Sequence, residues 1–123
     1  LSFVAHANVE TFNNINDANA NNNTGIANSF GSMNGMARDT GTVPFFQRSI
    51  YVGGSGNSIN DISRYSSNTN CIGVRYGNQN GDILGLITGV VTAFTTNGFT
   101  LAISYANGVP ATKGLAVLFT AYR

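Results

Sequence analysis

The sequence predicts an all-β chain: an antiparallel β-sandwich, jelly-roll-like, of about seven to eight short strands in a single domain spanning residues 1–123. Three observations carry this expectation. Short runs rich in Val, Ile, Phe, Tyr and Thr recur, bounded by Asn-Gly and Gly-rich clusters at the spacing of sandwiches and barrels. No stretch repeats its apolar residues with a helical period over a useful length. The run Ile87 to Tyr105 has two β-rich halves around Asn97-Gly98, a dipeptide that suits a type I′ hairpin turn. Closed in that way, the hairpin sets Phe94 opposite Leu101, Thr92 opposite Ile103 and Val90 opposite Tyr105. These six form a bulky face for the core. The alternate face carries Thr95 with Thr100, Ala93 with Ala102 and Val91 with Ser104, small side chains suited to solvent or a neighbouring subunit.

From the N-terminus, Leu1 to Val9 reads as a first strand with His6 near its end, a structural hydrogen-bonder by this reading. Glu10 to Thr24 is an Asn-rich loop, because Asn amides compete with the backbone for hydrogen bonds. It contains the glycosylation-type triplet Asn22-Asn23-Thr24. Ile26 to Phe30 resumes strand character, and Asn34-Gly35 signals a turn. A strand from Phe45 or Phe46 to Val52 follows, with Pro44 at its start, where a missing N–H does least harm. Gly53 to Asn57 is a flexible turn resembling half of a calcium-binding repeat, but Asn57 stands where the acid would be. Asn60 to Ser67 is either a short strand or a crossover. Cys71 to Tyr76 is a strand, Gly77 to Gly81 a turn, and Asp82 to Phe94 leads into the hairpin. Asn107 to Pro110 is a turn. Leu115 to Tyr122 is a final strand, apolar on both sides, which must run centrally in a sheet or be covered by another subunit.

Composition limits the function classes. Charged residues are 9% of the chain, while 42% is hydrophobic and 11% aromatic, so the chain has the apolar content to fold. Its polar surface must then come from Asn, Ser and Thr, which suits packing against copies of itself because few ions need desolvating. Six cations are spread singly along the sequence, with no basic cluster for a nucleic-acid backbone. No apolar run reaches membrane-spanning length. Cys71 is alone and reads as a small core residue.

Little in the sequence points to catalysis. Glu10, Asp17, Asp39, Asp61 and Asp82 are scattered among loops, His6 is the single histidine, and neither a nucleophile elbow nor a Cys/His metal cluster is present. The expectation is a non-enzyme, with no catalytic residues, metal or cofactor. Arg64-Tyr65 and Arg75-Tyr76 twice set a planar cation beside an aromatic ring. These four are the candidate ligand contacts, because Arg and Tyr dominate binding hot spots. Alternation in a strand, Tyr inward and Arg outward, explains the same pattern without a ligand.

Phe94, Gly98, Phe99, Thr100 and Leu101, followed by Val117-Leu118-Phe119, resemble the closing hairpin and aromatic strand of phage virion β-sandwich modules found in tail fibres, tail tips and capsid decorations. The opening strand, polar loop and Gly/Phe strand at Ile26 to Gly31 are similar to the same family. The hairpin pattern is also similar to that of H-type lectins, trimeric sandwiches that bind N-acetylgalactosamine-like sugars. The chain has no Trp, which those lectins carry near the end of the closing strand, so their sugar site is transferred to no residue here. The resemblance implies a structural subunit at the virion surface, homo-oligomeric and commonly trimeric, that docks on other virion proteins. The alternative it implies is a carbohydrate- or receptor-binding, lectin-like module that contacts host-surface glycan. Nucleic acid and membrane insertion are not among its expected partners.

Overall fold

The computed structural model describes residues 1–13, 28–108 and 113–122. Among them eight strands form two antiparallel sheets, as a β-sandwich requires. They are β1 (Ser2–His6), β2 (Ser29–Arg38), β3 (Phe46–Ser55), β4 (Ser58–Ser67), β5 (Ile72–Gly77), β6 (Ile83–Thr95), β7 (Gly98–Ala106) and β8 (Val117–Thr120). One sheet has five strands in the order β4-β3-β2-β1-β8, and the other has three in the order β5-β6-β7. Each sheet is mostly a meander, and the last strand returns to lie beside the first. The glycosylation-type triplet at Asn22 lies outside the described residues.

The core forms where inward-facing positions of the two sheets meet. Phe3 and Ala5 of β1, Met33 of β2 and Tyr51 of β3 face Ile72, Val74 and Tyr76 of β5 with Ile87 and Val91 of β6, all buried. Phe99 joins the far end, with its ring edge-on to Phe3 at 5.9 Å and to Phe119 at 5.3 Å. Cys71 is fully buried, and its thiol donates to the Gly89 carbonyl at 3.3 Å. Burial pushes that thiol's pKa up, as expected of a core residue.

Several turn signals act differently in the fold. Asn34-Gly35 lies in the middle of β2, because a Cβ at Gly35 would fall inside the Cys71 carbonyl where β5 begins; the glycine serves close approach of the sheets. Gly53 and Gly54 continue β3, and the ring of Tyr51 occupies the space above the paired Gly31 and Gly53. The turn that follows is Gly56-Asn57, and Ser58–Ser67 is a strand at the sheet edge. His6 is exposed, and its backbone carbonyl accepts the Val9 N–H; its side chain makes no core hydrogen bond.

The long hairpin forms in a shifted register. Thr96-Asn97 makes the turn, Thr95 pairs with Gly98 and Phe94 with Phe99. Neither Asn97 nor Gly98 has a positive φ, so the turn is not type I′. A bulge between Val91 and Ala93 then shifts the pairing to Val91 with Leu101, Gly89 with Ile103 and Ile87 with Tyr105. Leu101, Ile103 and Tyr105 share one face as expected, and Phe99 lies on it with them. On β6 the bulge brings Val91, rather than Val90 and Thr92, to the core. The closing strand runs at the sheet edge: among the described residues β8 pairs only with β1, which removes the central placement and leaves the other expectation, cover by another subunit.

Candidate interaction surfaces

The four residues singled out in the sequence do not come together. Arg64 points out from the five-stranded sheet and is exposed, whereas Tyr65, the next residue, faces inward against Gly73 and accepts a hydrogen bond from the Asn70 amide at 2.8 Å. The guanidinium of Arg75 is engaged, donating to the Ser63 hydroxyl and, at 2.9 Å, to the Gly81 carbonyl. Tyr76 is fully buried beneath the Lys113 ammonium, and burial pushes its hydroxyl up to about 12. Arg75 and Tyr76 therefore join β5 to its surroundings and present nothing to a ligand.

That joining is extensive. Beyond its ladder with β6, β5 is held by side chains of the five-stranded sheet. The Ser29 hydroxyl donates to the Gly77 carbonyl at 2.9 Å and accepts the Gly77 N–H at 3.2 Å, and Ser63 donates to the Arg75 carbonyl at 3.2 Å. Pairing of β5 with β6 begins at Ile72 with Gly89. One step beyond, at Val91, the buried Gln47 amide takes the place of a strand, donating to the Val91 carbonyl at 3.0 Å and accepting its N–H at 2.7 Å. No sequence signal marked Ser29, Ser63 or Gln47, since a polar residue in a strand ordinarily reads as outward-facing.

The acids are dispersed. Glu10 pairs with Lys113, Asp39 accepts the Gly41 N–H within its own turn, Asp82 accepts from Asn78, and Asp61 packs beside Gly81. Among the described residues no group of three His, Cys, Asp or Glu could hold a metal.

Among the described residues two surfaces remain open. The first is the flank where β7 faces β8. Ile103, Tyr105 and Phe119 occupy inward-facing positions and yet are 41%, 37% and 58% exposed. The second is the outer face of the five-stranded sheet. Its registers place Leu118, Val4, Asn34, Ile50 and Ser66 in one cross-strand row, His6, Ser32, Val52 and Arg64 in the next, and Phe30, Gly54 and Ile62 in a third. Leu118, Ile50 and Ile62 are each more than half exposed. At one corner the Phe46 ring is flanked by two guanidiniums, Arg48 at 4.7 Å and Arg38 at 5.3 Å. The one acid on the five strands of this sheet, Asp61 of β4, is exposed but packs beside Gly81 of the opposite sheet's turn, away from this face.

A cleft of about 820 Å³ opens at one end of the sandwich, between Leu1, Met36, Phe94, Asn97, Phe99 and Tyr122. Searched against family models, curated proteins and solved structures, the chain finds no match in any of the three.

Proposed function

We propose that this chain is a non-enzymatic structural module that works by self-association and docking, a subunit of the kind that phage-like virions place in tail fibres, tail tips or capsid decorations. The observation that carries this reading is the uncovered flank. Ile103, Tyr105 and Phe119 continue the inward-facing register of β7 and β8, so their exposure leaves the sandwich one layer short on that side. A second copy laid there would complete the core with apolar, uncharged contacts, as in obligate homo-oligomers. The 9% charge content lowers the desolvation cost of such a contact.

Size-exclusion chromatography with light scattering at micromolar concentration tests it. The expected result is a stable oligomer of three-fold symmetry, with I103S/F119S converted to monomer at a folding cost of about 1 kcal/mol or less, since both side chains are half exposed. A wild-type monomer would overturn the proposal. The lectin-like alternative has its best seat in the end cleft, where the exposed Tyr122 ring adjoins Asn97 and Arg38, and a glycan array reads it directly.

A further inference from the structure

We infer that the outer face of the five-stranded sheet docks on a different protein, one whose surface is apolar and carries carboxylates. The inference deepens the docking half of the function proposed above and names its partner's chemistry. Twisted sheets of one hand pack face to face at about −30°, so shape alone would let two copies of this face stack on each other. Charge forbids it. Arg38, Arg48 and Arg64 all project from the face, none has a carboxylate partner among the described residues, and the face supplies none to a copy. Any self-paired arrangement would desolvate cations from both subunits without compensation.

The other broad surface of this chain is no better matched to it. The alternate positions of β6 and β7, namely Thr88, Val90, Thr100, Ala102 and Ser104, carry no charge. The cations are also wrongly arranged for a phosphate backbone. Two of them are stacked on Phe46, and Arg64 sits on the Val52 row between the rows of Ile50 and Ile62. Guanidiniums interleaved with Ile, Val and Phe side chains are instead the composition of a protein interface core, with Arg as the polar anchor.

The test uses a copy of the chain as a probe of known chemistry. The variant R38E/R48E/R64E keeps the shape and apolar rows of the face but carries carboxylates. Wild-type chain is immobilised, and soluble wild type and variant are passed over it. Self-association through the β7 and β8 flank contributes equally to both, so the difference between them reads the face alone. The variant is expected to bind at least about tenfold more tightly than wild type. That advantage should shrink between about 50 and 500 mM salt and vanish when the immobilised chain carries I50S/V52S. Should the triple variant fail to fold, R64E, at an exposed position on the edge strand β4, is expected to shift binding in the same direction by about threefold.

Equal binding of the two analytes would overturn the inference, as would an advantage that survives I50S/V52S. Capture of phosphatidylserine vesicles by wild type, lost in R38E/R48E/R64E, would assign the face to anionic lipid and overturn it as well. Failure of the self-association reading would look different: no binding of wild type to itself, with the variant's advantage intact.

Discussion

Along β5 the two sheets are closed against each other by specific chemistry. Ser29, Ser63 and Gln47 reach across to backbone groups that have no strand to bond, and Gly35 and Gly73 let the chains approach until Cys71 and Tyr65 fill the space. Along β7 the same sandwich stops short, leaving Ile103, Tyr105 and Phe119 in core register and open to water. The two sides differ in composition as well as in cover. The closed side uses small polar residues whose hydrogen bonds are directional, whereas the open side offers aliphatic and aromatic groups that any apolar surface could cover. A monomer optimised for its own stability would close both sides. Leaving one open concentrates directional bonding on the closed side and uncovered apolar area on the other.

The most severe test of the contrast is at Gly35. Its missing Cβ is what admits the Cys71 carbonyl, and backbone cannot rotate aside as a side chain can. Gly35→Ala should cost about 3 to 5 kcal/mol in urea denaturation. Gly98, at the hairpin end of the open side, has nothing within 4 Å of the corresponding position, and Gly98→Ala should change stability by less than about 0.5 kcal/mol. Comparable losses at both would show that the closed side is no tighter than the open one.

Gln47 comes next. Gln47→Leu keeps the volume but leaves the buried N–H and C=O of Val91 without partners, at about 1 to 3 kcal/mol for each group and about 3 in total. Fast amide exchange at Val91, alongside the drop in urea midpoint, would locate the loss at that contact. Protection unchanged from wild type would mean that β6 is held there by something else.

Strand content was readable in the chain because alternation over Ile72 to Tyr76 and Phe99 to Tyr105 is a property of local sequence, which burial then reinforces. The same local reading misplaced Asn34-Gly35 and Asn97-Gly98. A glycine needed for close approach and a glycine needed for a turn are identical in sequence, and only the arrival of Cys71 from another sheet separates them. The hairpin register depended on a bulge at Thr92, which no residue type announces. The ligand contacts failed for a related reason. Arg64-Tyr65 and Arg75-Tyr76 look alike in sequence and both lie on edge strands, but β4 turns one face to solvent while the opposite sheet covers β5, so one pair is split across two faces and the other is enclosed. The outer face, by contrast, gathers Arg38, Arg48 and Arg64 from three strands, a grouping that exists only once those strands are in register.

Alkaline pH gives the gentlest way to sharpen the contrast, because tyrosines lie on both sides of it. Tyr51 and Tyr76 are buried on the closed side, while Tyr105 and Tyr122 are exposed. Burial disfavours the phenolate, holding the Tyr76 hydroxyl protonated up to about 12 and raising that of Tyr51 in the same direction. Below pH 10 the folded and unfolded chains both keep these protons, and the stability they support is fully present. Between pH 10 and about 12 the unfolded chain gives up a proton that folded Tyr76 retains, so stability falls, by up to about 1.4 kcal/mol per pH unit for each such ring. Urea midpoints measured from pH 9 to 11.5 should trace that decline, and Tyr76→Phe, which removes one titrating hydroxyl, should make it shallower. A slope that Tyr76→Phe leaves unchanged would mean that water already reaches the ring, and with it the distinction between a dry, bonded side and a wet, open one would fail.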